Sequence, residues 1–397
     1  MKKGYKTTEL GGIPEDWEVV KLGALSDIKR GLASHYVTYA DDGVQLIRIN
    51  DFQHDDPKYI IATTETKKLT LKAGDVLMAG TGATAGMSLL VNEQWEGLPF
   101  SFNVPRIRTK KNLDPAFLYF FLNTNLISEQ QNRFFTGNAQ PFLDIRAIGN
   151  LKIILPPLDE QRKIAAILRA VEEKLNIIAS GINETQALKK GLMQQLLTKG
   201  IGHTTFKDSP LGKIPESWEV VSMGEITTNL DAQRIALKST DREDVKGIYP
   251  YYGAQGIIDY IDKYIFDGEY LLVAEDGENV KSRKNDIAFI VNERFWLNNH
   301  AHILQSNERS NLFFLKYTLN FISILAYVTG QAQPKLNKSA LAEIRILLPP
   351  LAEQEKIATI LSTVDEKLAI LQSKKASFQA MKKGLMQQLF TGKMRVI

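Results

Sequence analysis

The chain repeats itself, and this constrains its fold more than any other property of its 397 residues. Leu10-Gly11-Gly12-Ile13-Pro14-Glu15-Asp16-Trp17-Glu18-Val19-Val20 returns as Leu211-Gly212-Lys213-Ile214-Pro215-Glu216-Ser217-Trp218-Glu219-Val220-Val221, at an offset of 201. Leu155-Pro156-Pro157-Leu158-Asp159-Glu160-Gln161 returns as Leu348-Pro349-Pro350-Leu351-Ala352-Glu353-Gln354, at an offset of 193. Lys189-Lys190-Gly191-Leu192-Met193-Gln194-Gln195-Leu196 returns unchanged as Lys382-Lys383-Gly384-Leu385-Met386-Gln387-Gln388-Leu389, again at 193. The first half is therefore eight residues longer between its first two blocks, and the two halves match in length thereafter. Each half has a variable part of roughly 130 residues followed by a constant part of about 40, the pattern of two related modules with different specificities.

The constant part predicts a long helix. Two prolines precede it, and Asp159 and Glu160 (Glu353 in the second copy) suit the positive end of a helix. Apolar residues recur at spacings of three and four: Ile164, Leu168, Val171, Leu175, Ile178 and Ile182, then Ile357, Leu361, Val364, Leu368 and Leu371. So narrow a seam predicts a coiled coil, and about 40 residues at ~1.5 Å each make a rod of ~60 Å. Lys189, Lys190, Lys382 and Lys383 are expected on a solvated face, with phosphate contact as the alternative. The expected architecture is α+β: two mixed α/β modules (1–154 and 201–347) separated by two long antiparallel coiled-coil helices (155–200 and 348–397), with pseudo-two-fold symmetry.

Composition narrows the function classes. Hydrophobic residues make up 44% of the chain, enough for two domain cores. No apolar run is long enough to span a bilayer, and 1–6 lack the apolar stretch of a secretory signal, so a soluble cytoplasmic protein is expected. With no cysteine there is no disulfide, thiol nucleophile or Cys-ligated zinc. The formal charge of +4 neither demands nor excludes nucleic acid: it is low for a non-specific DNA coater, while a sequence reader can work with local basic patches where partners supply other phosphate contacts.

Short stretches rich in β-branched and aromatic residues predict strands at 44–49, 75–78, 270–273 and 287–291, and an apolar helix is expected near the end of each module, at 115–122 and 312–319. Both modules finish on a loop of one pattern, Gly137-Asn138-Ala139-Gln140-Pro141-Phe142-Leu143 and Gly330-Gln331-Ala332-Gln333-Pro334-Lys335-Leu336.

The paired Leu-Pro-Pro-Leu-x-Glu-Gln blocks, the Lys-Lys-Gly-Leu-Met-Gln-Gln-Leu ends and the Ile-Pro-x-x-Trp starts carry a resemblance over essentially the whole chain. So do Gly74-Asp75-Val76-Leu77 before Gly80-Thr81-Gly82, Tyr251-Tyr252-Gly253-Ala254-Gln255-Gly256 and Phe266-Asp267-Gly268-Glu269-Tyr270. The chain resembles the specificity subunit of type I restriction–modification systems. That resemblance implies two target recognition domains, each reading half of a gapped DNA site. It also implies helices that set the gap and dock two modification subunits. Those subunits methylate adenine N6 from S-adenosylmethionine, and restriction subunits add ATP- and Mg-dependent translocation and cleavage. The specificity subunit does no chemistry and carries no cofactor.

Sequence readers use Arg, Lys, Asn, Gln and His against base edges. Candidates in the first module are Arg48, Asn50, Thr81, Asn103, Arg106 and Gln140; in the second they are Tyr251, Tyr252, Gln255, Asn298, Asn299, His300, Gln333 and Lys335. Glu275 and Asp276 could accept from cytosine N4, and Tyr251 and Tyr252 are of a kind that packs more often than it stacks. Gln140 and Gln333 are the stronger contact candidates because their Ala-Gln-Pro context repeats; a repeated residue could equally hold the shared fold or contact phosphate, so base reading is expected in the unrepeated neighbours.

Catalytic motifs fare poorly. Gly80-Thr81-Gly82-Ala83-Thr84-Ala85 is followed by an apparent strand instead of the helix a dinucleotide site needs, and no Gly-x4-Gly-Lys-Ser/Thr loop occurs. The Asp/Asn-Pro-Pro-aromatic signature of an adenine methyltransferase is missing. His300 and His302 lack neighbours at a zinc spacing, so no metal site is expected. Two other classes stay open: a scaffold that gathers protein partners, and a stand-alone nuclease or methyltransferase.

Overall fold

A computed structural model describes residues 4–54, 56–135, 141–330 and 333–396. Its contacts fall into two compact units. The first combines the chain up to Ile178 with the segment from Lys374 onward, and the second runs from Ala179 to Ser373. Each therefore holds one variable module, the start of the long helix that follows it, and the end of the other long helix.

The first unit opens with a hairpin, Tyr5–Thr8 against Gly11–Pro14, which carries the Ile-Pro-x-x-Trp motif. Glu18–Lys21 then pairs antiparallel with Lys152–Leu155, bringing the module's two ends together. Between them lies a four-stranded antiparallel sheet in the order Ser26–Lys29, Arg106–Thr109, Val76–Met78, Ser88–Leu90, with a small three-stranded sheet beside it. The helix Pro115–Leu122 forms where the sequence predicts it. Asp114 accepts from the Phe117 amide at 2.9 Å and Pro115 fills the first turn, where its missing N–H costs nothing. Apolar on nearly every face, this helix lies at the centre of the unit's core, with Phe117 and Phe121 against Phe390.

The second unit repeats this plan with a larger sheet. Its hairpin is Phe206–Ser209 with Gly212–Pro215, and Glu219–Ser222 pairs with Arg345–Leu348. Six strands follow in the order Thr227–Asn229, Ala301–Ser306, Phe266–Ala274, Ala288–Leu297, Lys246–Gly253, Gly256–Ile261; only the contact between Lys246–Gly253 and Ala288–Leu297 is parallel. The buried helix is Leu312–Phe321, capped by Asn311. The mixed α/β reading of both modules holds. The strand expected at 44–49 is shorter: it stops at Gln45, and a 3-10 turn over Ile49–Phe52 replaces its end, fixed by the Asp51 carboxylate on the Arg48 backbone amide at 2.7 Å.

The long helices run unbroken over Leu158–Lys199 and Leu351–Phe390. Within the first unit Glu160 meets Arg395 and Glu172 meets Lys382; within the second, Leu371 packs over Gly181 and Asp365 meets Lys189, so the helical segments pair antiparallel in both. The seam does more than zip the helices. Ile164 and Leu168 are fully buried in the core of the first module, as Ile357 and Leu361 are in the second. The early seam positions thus fasten each helix to its own module, while Leu175, Ile178, Leu368 and Leu371 are half-buried further along and Val171 and Val364 mark the changeover. The solvated-face expectation fails for two of the lysines: Lys382 is paired with Glu172 at 2.7 Å and Lys189 with Asp365 at 2.6 Å, whereas Lys190 and Lys383 are exposed.

Candidate functional site

Repeated geometry in the two units falls into two classes. In the first, the side chains repeat as well as the backbone. The Trp17 indole N–H donates to Glu160 and that of Trp218 to Glu353, each at 3.0 Å. The Glu160 carboxylate also accepts from the Val396 amide and from Arg395, which reaches Asp16 too; Glu353 accepts from the Ile201 amide and lies 2.8 Å from His203. Both long helices end on glycines with left-handed backbone, Gly392 (φ 65°) and Gly200 (φ 67°), where a side chain would strike Pro14 in the first unit and Glu353, His203 and Trp218 in the second. Gln161 and Gln354 tie the next loop in the same way: each accepts an amide (Asp114, Asn311) and donates to two carbonyls. The Glu-Gln pair of the Leu-Pro-Pro-Leu motif is thus buried and hydrogen-bonded. It locks each helix to its module instead of merely decorating a helix terminus.

In the second class the backbone repeats but the side chains do not. In the first unit the Gly80 amide donates to the Asn103 carbonyl, Leu143 to Gly80, and Gly82 to Pro141. In the second, Glu275 donates to His300, Leu336 to Glu275, and Gly277 to Pro334. The bridges Thr81–Phe142 and Asp276–Lys335 complete the match. Three loops from distant parts of each module are therefore joined by one hydrogen-bond scheme. On that shared frame the first unit places Thr81, Asn103 and Phe142, and the second places Asp276, His300 and Lys335.

The structure gathers most of the sequence-nominated residues around these junctions. In the first unit Thr81 and Asn103 lie on the junction, and Arg48 and the exposed Asn50 continue from Ile47, which is hydrogen-bonded to Pro99 and Ser101 just before it. Arg48 is held by Asp51 at 2.7 Å. Arg106 is not on a loop: it belongs to a central strand and its guanidinium meets Asp27 at 2.5 Å, and burial keeps the rest of the group away from a base. Gln140 lies outside the described residues. In the second unit His300, Gln333 and Lys335 are exposed at the junction, Asn299 is exposed beside it, and Asn298 is buried, accepting from the His300 amide. Gln255 is exposed at the turn of the Lys246–Ile261 hairpin, whose Tyr252 carbonyl accepts from the Asn298 amide. Tyr251 and Tyr252 are packing residues: the first accepts from the Leu237 amide, and the second donates to Glu293 from inside an aromatic cluster that includes Phe295.

Glu275 does not face outward as a cytosine reader would. One oxygen meets Arg234 at 2.8 Å and the other Lys335 at 3.1 Å. Arg234 also approaches Asp231 at 3.4 Å, and Asp231 holds His302 Nδ1 at 2.5 Å while His302 Nε2 faces the Leu336 carbonyl. Burial is the largest single influence on both carboxyls and acts to raise them. Bonds from His302, Asn229 and the Ile303 amide to Asp231, and from Arg234 and Lys335 to Glu275 beside the His302 charge, together outweigh it and hold both below the usual carboxylate range. Asp231, Glu275 and His302 bring ligand-type atoms within 4.8 Å of one another, against the expectation from spacing that His302 has no such neighbours. Arg234 already serves both carboxylates, however, so the cluster reads as an ion-pair network. Arg234 and Arg30, which stands four residues past Ser26 as Asp231 stands four past Thr227, are the junction residues that sequence reasoning missed. Aligning the two halves and looking for charge reversal at matched positions would have flagged Arg30, which stands opposite Asp231, but not Arg234.

Comparison with known proteins returns one consistent picture. The family model for the type I restriction modification DNA specificity domain matches twice, over residues 14–186 and 215–379. The chain is 30% identical to the type I restriction enzyme MjaX specificity subunit proposed for Methanocaldococcus jannaschii, covering 100% of this chain and 97% of that one. It is 27% identical to the MjaVIII specificity subunit of the same organism, over 97% and 94% of the two chains. Its fold resembles the crystal structure of a type I restriction–modification S subunit from M. genitalium, with a TM-score of 0.67 at 16% identity, across 94% of this chain and 96% of that one.

Proposed function

Because the chain belongs to the type I restriction–modification specificity family, we propose that each of its units reads one half of a gapped DNA site through its three-loop junction. The chain is a non-catalytic specificity subunit. The long helices set the spacing between half-sites and dock two modification subunits, which use S-adenosylmethionine; restriction subunits supply ATP- and Mg-dependent cleavage. The complex acts in the cytoplasm, and among the described residues no helix is long and apolar enough to cross a membrane.

The observation that carries this reading is the contrast between the anchors and the junctions. A fold-holding contact is needed in both copies and keeps its side chains, as Trp17–Glu160 and Trp218–Glu353 do. A surface that must recognise two different half-sites needs one backbone frame and two sets of side chains, as the junctions have. Exposed Asn, Gln, His and Lys on that frame supply both kinds of edge contact that bases accept.

The test is selection from a random duplex library with the chain co-purified with its neighbouring modification subunit, at two salt concentrations. Recovery of two short defined halves around an unread gap, weakening steeply with salt, is expected. A single contiguous motif would leave only one unit as a reader, and no enrichment at either salt would point to a protein scaffold.

A further inference from the structure

Arg30 carries a cation that nothing in the first unit's described residues neutralises. Its guanidinium carbon lies 4.4 Å from the centre of the Phe102 ring and 5.0 Å from that of Phe142. Phe102 adjoins Asn103, and Phe142 is the bridge partner of Thr81, so both rings belong to the junction. Among the described residues Arg30 forms no ion pair or hydrogen bond, whereas Arg48, Arg106 and Arg108 are each held by a carboxylate. Phe102 is 42% exposed, so this pairing sits at the surface of the unit and not in its core.

The backbone beneath Arg30 is fixed. At Gly31 a side chain would fall 1.9 Å from the Phe100 carbonyl oxygen, an approach only glycine permits, and the Leu32 amide donates to that same carbonyl. The Phe102 amide donates back to Leu32. An arginine on such a footing, flanked by two rings, loses little further freedom on meeting a ligand. At the matched position of the second unit stands Asp231, bound to His302, and the positions matching Phe102 and Phe142 are Asn299 and Lys335. The arginine–aromatic cluster is thus specific to one copy, unlike the anchors that hold the fold.

We propose that Arg30 is a specificity-determining residue of the first unit, its guanidinium donating to the O6 and N7 edge of a guanine in the half-site that unit reads. This rests on the reading of the junction as a DNA interface. A guanidinium fork matches the two acceptors of guanine in the major groove, the commonest specific contact between proteins and DNA. A phosphate accepts the same fork, but a phosphate contact carries no sequence information and both units would need it, whereas the second unit has Asp231 at the matched position.

The experiment repeats the duplex selection with the same co-purified complex carrying Arg30→Ala or Arg30→Lys. The expected result is a loss of about 10- to 100-fold in discrimination at one G·C pair, in one half of the motif only. The other half stays sharp and serves as an internal control for folding and assembly. Arg30→Lys keeps most of the affinity but recovers only part of the discrimination, because an ammonium lacks the fork. An unchanged motif, a uniform fall in affinity with no position relaxed, or relaxation at an A·T pair overturns the proposal. So does blurring of the whole half-site by both variants, which would make Arg30 a residue of the fold. If the unmodified complex itself selects no split motif, the reading of the junction as a DNA interface has failed instead, and the two failures are told apart by that control.

Discussion

The two junctions share their backbone hydrogen bonds but differ in how their charges are answered. In the second unit Asp231, Arg234, Glu275, His302 and Lys335 form a network in which cations and carboxylates answer one another. In the first unit the same frame brings Arg30 against Phe102 and Phe142, with Thr81 bridged to Phe142 and Asn103 next to Phe102. The side chains at the junction differ while the hydrogen bonds underneath are the same. Side chains at this place can therefore change at little cost to stability, because the scaffold amides are satisfied by backbone carbonyls.

If that division is right, damage should follow the anchors and not the junctions. The largest loss is expected for Trp17→Ala or Trp218→Ala, each removing a fully buried indole and costing about 3–5 kcal/mol in thermal or denaturant unfolding. Near-equal effects would support the equivalence of the units, and a mild effect in one would break it. Next come the glutamates. Glu353→Ala leaves the Trp218 N–H buried without an acceptor, at about 1–3 kcal/mol, while Glu160→Ala also strips Arg395 of one of its two carboxylates and should cost more.

The charged junction should also leave a pH signature. Asp231 and Glu275 are held below their unfolded values, so the stability they confer is present above the ordinary carboxylate range near 4 and is lost as pH falls through their folded values. Asp231→Asn should lower stability at neutral pH and shrink the difference between melts at pH 7 and pH 3, by on the order of 1 kcal/mol; an unchanged difference would mean that the network adds no linkage. The smallest effects are expected at Lys190 and Lys383, where alanine should change stability by less than about 0.5 kcal/mol. A salt slope for DNA affinity that falls by about 1 per substitution would instead make them phosphate contacts.

The helix 115–122 and the two long helices were legible because their signals are local: Asp114-Pro115 before an apolar block, and prolines before a regular seam. What each seam position touches was not. Ile164 and Leu168 fit a coiled-coil pattern and a domain core equally well, since both ask only for an apolar stripe. Residue type showed which side chains could read a base, but not whether a carboxylate elsewhere had already claimed them. Arg106 is taken by Asp27, 79 residues away, and Glu275 by Arg234, 41 residues away. Arg30 was passed over for the converse reason, because its setting is made by two phenylalanines far along the chain. The repeated Trp and Glu-Gln motifs were visible as motifs, and only their long-range pairing shows that they serve the fold.

That the first unit draws on Lys374–Val396 has a consequence for the order in which the molecule can be built. All parts of the second unit lie within one uninterrupted stretch of chain, whereas the Glu160–Arg395 contact spans 235 residues. At ~5–20 residues per second of synthesis, the first module waits on the order of 10–50 s after its own strands have emerged before Leu389 and Phe390 exist to fill its core. During translation Ile13, Trp17, Phe117 and Phe121 are left without those partners, an interval in which a chaperone or a premature stop would decide the fate of the module made first.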